Sequence, residues 1–472
     1  MCELDGFSLP LMYVLSYMSA AHQLMSCGLS HLPIDIHVDI FCTLADNTTF
    51  MEPSPHLTPM LLSQVCHSWR AITLNCSCLW SSMDIIVVSR SDNGDNIDNI
   101  IRLARTWIRR SGTHPFSFRL RINSYDGDGR YPPLRRLVPL VDVLLITCTR
   151  WNNVEFIMYY SEHDLDDHLD WGDTGAFQFP RLRRLSVSAN RHVFQHMNRR
   201  LNINHDTTPA LRSMHVDGGM DVAPVSRPLD IPFDVMTNLS VGAFTSQEDL
   251  FRVMSKCLHV RRLQIHVGVL MLGSPPPCAI SVHLPALSSL KVASYSGFQG
   301  LTDGWTFPSL DCLCIQRDGG VSEWPQMEFQ DFVVRSSCSI TQLELIDVGL
   351  RPEQLIAVIR SIHASLQCLR IDCTGGKGVA SVDDSVLLTL TWDNTRHCNM
   401  CPALRKLEFN RCLTFSQGVF ARMVMSRSRY GAGVGDVTPL EVVWVMSRKD
   451  CPVSQVCDFD IMKYILPKSW AI

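Results

Sequence analysis

The first 69 residues contain six acidic side chains but no lysine and no arginine. The whole chain of 472 residues carries a formal net charge of −4, so it lacks an overall basic field with which to hold nucleic acid. It also lacks an uninterrupted apolar run of the length that spans a bilayer, about 20 residues. We therefore expect neither nucleic acid nor a membrane among its partners.

Motifs of the common catalytic sites are absent as well. There is no Gly-x-Ser-x-Gly elbow, His-Glu-x-x-His pair or Gly-x-Gly-x-x-Gly fingerprint. Residues 375–378 lack the rest of a P-loop and are predicted to form a turn. The best metal-like spacing, over 397–401, lacks the second pair of ligands usual in zinc sites, and Cys312 and Cys314 are expected to belong to a strand. The sequence thus predicts no enzyme activity, no cofactor and no metal.

The remaining composition favours a large folded protein. Hydrophobic residues make up 46% of the chain, which is enough for an extensive core. The 19 cysteines are few for a disulfide scaffold of this length, and an odd number cannot all pair within the chain. We therefore expect a reducing compartment, the cytoplasm or the nucleus.

Two segments leave a second interpretation open. Residues 9–21 are mostly apolar and resemble the centre of a secretory signal, but the residues before them are acidic instead of basic. A helical extension over 1–30 is the expectation, and a secreted or anchored receptor is the alternative. Residues 162–173 contain six carboxylates in what we expect to be a solvated loop; the alternative is a docking site for a basic partner.

Residues 31–83 have the pattern of three short helices. Pro33 and Asp35 suit the first turn of a helix. A polar insert over 46–59 separates this helix from a second helical run over 61–74. A bundle of this size buries little surface and is marginal alone, so its surplus apolar side chains imply a partner.

The same residues resemble an F-box. Ordered matches to the family pattern occur at Leu32, Pro33, Asp35, Ile36, Ile40, Phe41, Leu62, Val65, Cys66, Trp69, Arg70, Leu79 and Trp80. The departures are His37, where the family has an apolar residue, and the insert over 46–59. Residues 107–118 also resemble the segment that follows the F-box in fungal members of the family.

The resemblance implies a Skp-type adaptor as partner and, through it, a cullin–RING ubiquitin ligase. The positions expected to form or support the adaptor interface are Leu32, Pro33, Ile36, Ile40, Val65, Cys66, Trp69 and Trp80. The alternative role of each is to hold the bundle together, above all for Trp69 and Ile40.

A repeat follows a linker over 84–125, in which we expect a helix over 98–110 and a first strand over 116–122. In the repeat, an apolar residue is followed three and five positions later by two more, which is typical of degenerate leucine-rich repeats. The eleven units begin at Trp151, Leu182, Leu211, Met236, Val260, Leu287, Leu310, Ile340, Leu366, Leu404 and Leu440. Five of them have proline two residues before that first position, just outside the strand.

Helical patterns lie between several of these strands, over 246–257, 327–334, 352–362 and 418–425. A strand and a helix of this length cannot bury both faces alone, so neighbouring units must stack. The predicted fold class is therefore α/β. It comprises a three-helix F-box, then a curved leucine-rich-repeat solenoid over 126–450 with parallel strands on its inner face, and a cap or tail over 451–472.

The leading hypothesis is a non-catalytic substrate receptor of an SCF-type ubiquitin ligase; the alternative is a repeat scaffold that recruits no ligase. An unknown substrate protein would bind solvent-pointing strand residues of the inner face. The basic candidates are Arg183, Arg212, Arg262, Lys291, Arg370 and Arg405. Their charge favours an acidic or phosphorylated ligand.

Overall fold

The computed structural model describes residues 32–45, 50–89, 95–124, 134–158, 177–189, 197, 201–217, 231–244, 247–268, 281–295, 302–319, 323–375, 381–393, 399–428 and 438–446. The chain divides into two compact units, one up to Leu211 and one from Arg212 onward. The predicted extension over 1–30, the acidic segment 162–173 and the segment 451–472 lie outside the described residues.

Short helices open the described part of the first unit: α1 (Ile34–Ala45), α2 (Leu62–Val65), α3 (His67–Asn75) and a 3-10 turn (Ser77–Trp80). Helix α1 begins directly after Pro33, as predicted. The prediction of one helical run over 61–74 is wrong, because Cys66 is extended (φ −158°, ψ 172°) and separates α2 from α3. The Cys66 thiol accepts the backbone N–H of Trp69 at 3.4 Å and so caps α3.

Parallel strands follow in this unit, in the sheet order β1 (Ser82–Ser89), β2 (Phe116–Ser124), β3 (Trp151–Met158) and β4 (Arg184–Ala189). Helix α4 (Asp95–Arg110) connects β1 to β2, and α5 (Leu134–Leu145) connects β2 to β3. The predictions of α4 and β2 are confirmed. Sequence reasoning missed β1 and α5, although Met83, Ile85 and Val87 alternate into the core as a half-buried strand requires.

Part of the insert between α1 and α2 packs against these strands. Met51 is buried, and its carbonyl accepts the backbone N–H of Asp84 at 2.7 Å. The Arg119 guanidinium lies 4.7 Å from the centre of the Phe50 ring. The Asp84 carboxylate is itself buried and forms ion pairs with Arg121 at 2.6 Å and Arg119 at 3.5 Å. Residues 50 and 51 are therefore part of the packed structure of this unit.

The strands described in the second unit are β5 (Ser213–Asp217), β6 (Asn238–Phe244), β7 (Arg262–Val267), β8 (Val282–His283), β9 (Ser289–Ser294), β10 (Trp305–Thr306), β11 (Cys312–Arg317), β12 (Gln342–Ile346), β13 (Cys368–Asp372), β14 (Lys406–Asn410) and β15 (Val442–Met446). Strands β8 and β10 pair with each other. The others form parallel neighbours in chain order. Parallel pairing requires a crossover after every strand, which the connecting helices and loops provide.

The helices described in this unit are α6 (Gln247–Met254), α7 (Gln326–Ser336), α8 (Pro352–Ile362), α9 (Asp384–Leu390) and α10 (Val419–Ser426). The four helices predicted over 246–257, 327–334, 352–362 and 418–425 are confirmed, and α9 was missed. The Asp383 carboxylate accepts the backbone N–H groups of Ser385 and Val386, so α9 has an N-cap of the ordinary kind. No helix in the described part of the chain is both long and apolar enough to cross a bilayer.

The predicted pattern of buried positions is confirmed. All three apolar positions of all eleven units are buried. Equivalent positions pair across neighbouring strands, as Leu263 does with Leu290 and Leu290 with Leu313. Because side chains alternate along a strand, the residues between them point to the opposite face. Both compact units thus have an α/β architecture, with parallel strands that have one apolar packed face and one polar face.

Candidate functional site

The first candidate site is an apolar stripe on α1. Ile36, Ile40 and Leu44 recur every four residues and so lie along one helix face, with 40%, 39% and 40% of their surface exposed. We call these three residues the α1 patch. Ile34, in the first turn, is 69% exposed, but it lies about 160° around the helix from Ile36 and about 120° from Ile40, so it is not part of the stripe. Large apolar side chains exposed together are typical of surfaces that bind another protein.

The adjoining face of α1, about 100° around the helix, forms the interior of the bundle. Phe41 is buried and meets the ring of Trp69 edge to face, with centroids 4.8 Å apart. His37 is also buried, and its ring centroid lies 6.3 Å from that of Trp69. The Nδ1 atom of His37 lies 3.1 Å from the Pro33 carbonyl oxygen, and since a carbonyl can only accept, Nδ1 carries the donated proton. The bundle thus accommodates His37 inside, hydrogen-bonded to its own helix.

The predicted adaptor residues differ in exposure. Pro33, Ile36 and Ile40 are exposed, while Leu32, Val65, Cys66 and Trp69 are half-buried. Trp80 is fully buried: its Nε1 donates to the Thr73 carbonyl at 2.9 Å, and its ring meets Trp107 edge to face at 4.7 Å. Of the two roles expected for Trp80, forming or supporting the interface, burial leaves only the supporting one, because a side chain enclosed on all sides cannot touch a partner.

The second candidate site is a groove on the polar face of the second unit, with a volume of about 690 Å³. It extends from β5 to β12, and we call it the strand groove. Arg262 on β7 and Lys291 on β9 line it, together with the amide of Gln264 and the imidazole of His215. Neither Arg262 nor Lys291 forms an ion pair with a carboxylate that the structure describes. Within the part of the chain that the structure describes, the groove therefore offers two cations that are in no ion pair, although the carboxylates of Asp311 and Glu344 also line it.

The thiols of Cys312 and Cys314 also line the strand groove. Burial, reinforced by the charge of Asp311, raises the pKa of Cys312 to about 11. Burial, reinforced by the charge of Glu344, raises the pKa of Cys314 to about 11. Both are therefore protonated near neutral pH and are poor nucleophiles. Their place on β11 confirms the prediction that this pair belongs to a strand.

The same face carries an ion-pair network on the next strands. Glu344, Arg370 and Glu408 lie side by side on β12, β13 and β14. The guanidinium of Arg370 lies 3.8 Å from Glu344, 3.6 Å from Glu408 and 3.5 Å from Asp372. The ammonium of Lys406 lies 2.5 Å from Glu408, and this hydrogen bond raises its pKa. Arg370, predicted to bind substrate, is thus neutralised by three carboxylates of the same compact unit.

Three of the six predicted substrate residues do not lie on the strand face. Arg183, Arg212 and Arg405 each immediately precede a strand. The Arg405 carbonyl accepts the backbone N–H of Glu441 at 2.7 Å, and its side chain lies 3.6 Å from the Glu441 carboxylate. The prediction that all six point from the inner face is therefore wrong for these three, which lie at the amino-terminal edge of the strands.

Other cysteines have different roles. His397 and Cys398 lie outside the described residues, as do 376–378 of the predicted turn. Cys401 is fully buried, and burial raises its pKa to about 12, as expected of a structural thiol. Sequence reasoning missed a cluster of Cys42, Cys76 and Cys78, because Cys42 precedes Cys78 by 36 residues and the pattern gives no sign that they meet.

The α1 patch and the strand groove differ in chemistry. The first exposes aliphatic side chains on a helix, and the second exposes cations and amides on parallel strands. They therefore suit two different partners. The chain matches no protein-family model, and no curated protein matches it at a significant level.

Proposed function

We propose that this protein is a non-catalytic substrate receptor of an SCF-type ubiquitin ligase. The observation that carries this function is the α1 patch, an exposed aliphatic stripe on a module whose sequence resembles an F-box. In the cytoplasm or nucleus the patch binds a Skp-type adaptor, which links the chain to a cullin–RING ligase. The repeats, which are of the leucine-rich type, hold the substrate near the ubiquitin-charged enzyme. The effective concentration of the substrate at that enzyme is thereby raised.

Burial of the α1 patch supplies a substantial binding free energy. Complete burial of an isoleucine or leucine contributes about 1.5–3 kcal/mol. About two-fifths of the surface of each side chain in the patch is exposed, so its burial by a partner contributes about 1 kcal/mol more. Three such residues together favour the complex by about 3 kcal/mol, or about 100-fold in Kd.

The bundle presents the patch on a fixed support. The Arg110 guanidinium lies 4.3 Å from the centre of the Trp80 ring, on the helix that also carries Trp107. The Trp107 Nε1 donates to the Ser82 carbonyl at 3.1 Å. These contacts join the 3-10 turn to α4 and β1, so the helices are held against the rest of the first unit. A pre-organised surface binds with less loss of conformational entropy.

In the strand groove we place an acidic or phosphorylated segment of the substrate. Arg262 and Lys291 are available to it because they have no described carboxylate partner. Arginine suits this role because its planar guanidinium donates two parallel hydrogen bonds to a carboxylate or phosphate. Arg370 is assigned no such role, since Glu344, Asp372 and Glu408 already neutralise it.

Adaptor binding is tested with the full chain co-expressed with a tagged Skp-type adaptor. We expect the wild-type chain to co-purify, and the double variant Ile36→Asp/Ile40→Asp to lose binding by about 100-fold or more. The matched control is Met327→Asp/Val334→Asp, which changes two side chains that are 75% and 76% exposed on α7. If the folded wild-type chain does not bind the adaptor, the ligase-receptor function is wrong and the alternative, a repeat scaffold that recruits no ligase, stands.

The substrate-binding part is tested with arrays of acidic, phosphorylated and basic peptides. We expect retention of acidic or phosphorylated peptides by the wild-type chain, and about 10-fold or greater weakening in Arg262→Glu/Lys291→Glu. Arg405→Glu is the control, because it reverses an exposed charge away from the groove. Equal binding by the groove variant would contradict the assignment.

A further inference from the structure

Three thiols converge at the base of the helical bundle. The Sγ atoms of Cys42 and Cys78 lie 2.7 Å apart, and those of Cys76 and Cys78 lie 3.2 Å apart. All three sulfur atoms lie within 4.8 Å of one another. Cys76 is buried, and the other two are half-buried. We call these residues the thiol cluster.

The fold fixes the thiol cluster from two sides. Cys42 belongs to the carboxyl-terminal half of α1, whereas Cys76 directly follows α3 and Cys78 lies in the 3-10 turn. The Cys76 N–H donates to the Ile72 carbonyl at 2.9 Å, and the Cys76 carbonyl accepts the Leu79 N–H at 3.2 Å. Backbone hydrogen bonds therefore hold the Cys76–Cys78 segment in place, so the three sulfur atoms meet through the packing of α1 on this turn.

The number and type of these ligands favour a metal over a covalent link. A disulfide would use two of the thiols and leave the third beside it without a role. Zinc binds thiolates at about 2.3 Å, which sets neighbouring sulfur atoms about 3.8 Å apart in a tetrahedral site. The closest pair, Cys42 and Cys78, reaches that spacing when its sulfur atoms move apart by about 1 Å. All three sulfur atoms already lie within 4.8 Å of one another. The cluster contains sulfur ligands alone, which suit zinc and other thiophilic cations and not calcium or magnesium.

We propose that Cys42, Cys76 and Cys78 bind one zinc ion, with the fourth position taken by a solvent molecule. Half-buried Cys42 and Cys78 leave an opening through which the ion and the solvent ligand enter. Metal bound here joins α1 to the turn before Trp80 and so stabilises a bundle that is small for independent folding. The site needs neither the adaptor nor the strand groove.

Zinc binding leaves the α1 patch accessible. At about 100° per residue, Cys42 lies about 200° around the helix from Ile40. The metal therefore occupies the side of α1 that faces the turn, while the patch faces outward. Adaptor binding and zinc binding can thus be measured separately on the same protein, and failure of one does not imply failure of the other.

The test measures zinc on the reduced full chain by competition with a chromophoric chelator, and cobalt substitution reports the number of thiolate ligands by charge-transfer absorption. We expect about one zinc per chain at this site, and about 100-fold weaker binding in Cys42→Ser or Cys78→Ser. We also expect zinc to raise the melting temperature of the wild-type chain and not of these variants.

Cys148→Ser and Cys338→Ser are the controls, because both replace half-buried thiols outside the cluster. They should bind zinc like the wild type. Equal zinc affinity in the cluster variants, absence of thiolate absorption with cobalt, or peptide mapping that finds a Cys42–Cys78 disulfide in the chain as purified would each overturn the zinc site.

Discussion

Helices α1 and α8 are nearly equal in length, with 12 and 11 residues, but their apolar side chains differ in burial. On α8, Leu355, Val358, Ile359 and Ile362 are all buried, none more than 4% exposed. On α1, the equally aliphatic Ile36, Ile40 and Leu44 remain about two-fifths exposed. Apolar content is therefore not what separates the two helices.

The difference comes from the number of neighbours. Helix α8 packs between α7 and α9, and its apolar stripe is buried within the chain. Helix α1 belongs to a small bundle and packs mainly on α3 and the 3-10 turn, which cover one face only. A stripe left open in this way has about two-fifths of its surface available to a partner, and this is the physical basis of the adaptor proposal.

The largest expected effect comes from placing the same charge on each helix. Val358→Asp buries a carboxylate where the side chain is fully enclosed, and we expect it to cost about 5 kcal/mol or more, enough to unfold the second unit. Ile40→Asp should cost only about 1–2 kcal/mol, because about three-fifths of the side chain is buried. Denaturant unfolding followed by circular dichroism measures both. Similar losses would refute the contrast between the helices.

A buried cation extends the same contrast to polar groups. Arg427 is fully enclosed, and its guanidinium donates to the carbonyls of Leu390 at 2.6 Å, Cys401 at 2.8 Å and Met400. Burial lowers its pKa to about 10, so it stays charged near neutral pH. Arg427→Lys cannot reach all three carbonyls and should cost about 3 kcal/mol in unfolding free energy, whereas Arg405→Lys should cost almost nothing.

Acid should weaken the second unit through Asp372. Burial tends to raise the pKa of this carboxyl, but hydrogen bonds from Thr374 and Asn410 outweigh it and hold the pKa below its usual value. The resulting stability is present above the unfolded pKa, about 4, and is lost as pH falls through the lower folded-state pKa. Asp372→Asn should therefore cost about 1–3 kcal/mol at pH 7 and progressively less below about pH 4. A loss independent of pH would contradict this.

The smallest effect is expected at His37. It lies in an apolar slot beside Phe41 and Trp69, and its backbone N–H donates to the Pro33 carbonyl whatever the side chain. His37→Leu should change the unfolding free energy by about 1 kcal/mol or less and leave adaptor binding unchanged. Loss of binding in this variant, with folding intact, would show that His37 acts at the interface and not in the interior.

The repeats could be predicted from the sequence because the spacing of their buried apolar residues is visible in the sequence itself. It also contained the signal for β1, since Trp80, Met83 and Ile85 follow the repeat pattern. Trp80 hydrogen-bonds to the carbonyl seven residues earlier, as Trp151 does with Leu144 in a predicted unit. Assigning Trp80 to the adaptor motif concealed this equivalence. Its burial follows from its place at the start of a unit.

The candidate sites were less predictable, because they depend on neighbours far away in sequence. Arg370 loses its proposed role through Glu344 and Glu408, which occupy the same position in adjacent units. Aligning the units would have revealed this row of charges. The thiol cluster and the exposure of the α1 patch depend instead on how the bundle packs, which periodicity does not specify.

The most direct test of the adaptor proposal is hydrogen–deuterium exchange of the full chain with and without a Skp-type adaptor. We predict slower exchange over α1, α2 and α3 in the complex, and unchanged exchange over β7, β9 and β11 of the strand groove. Protection confined to the groove strands, with α1 exchanging as in the free chain, would contradict the assignment of the α1 patch as the adaptor-binding surface.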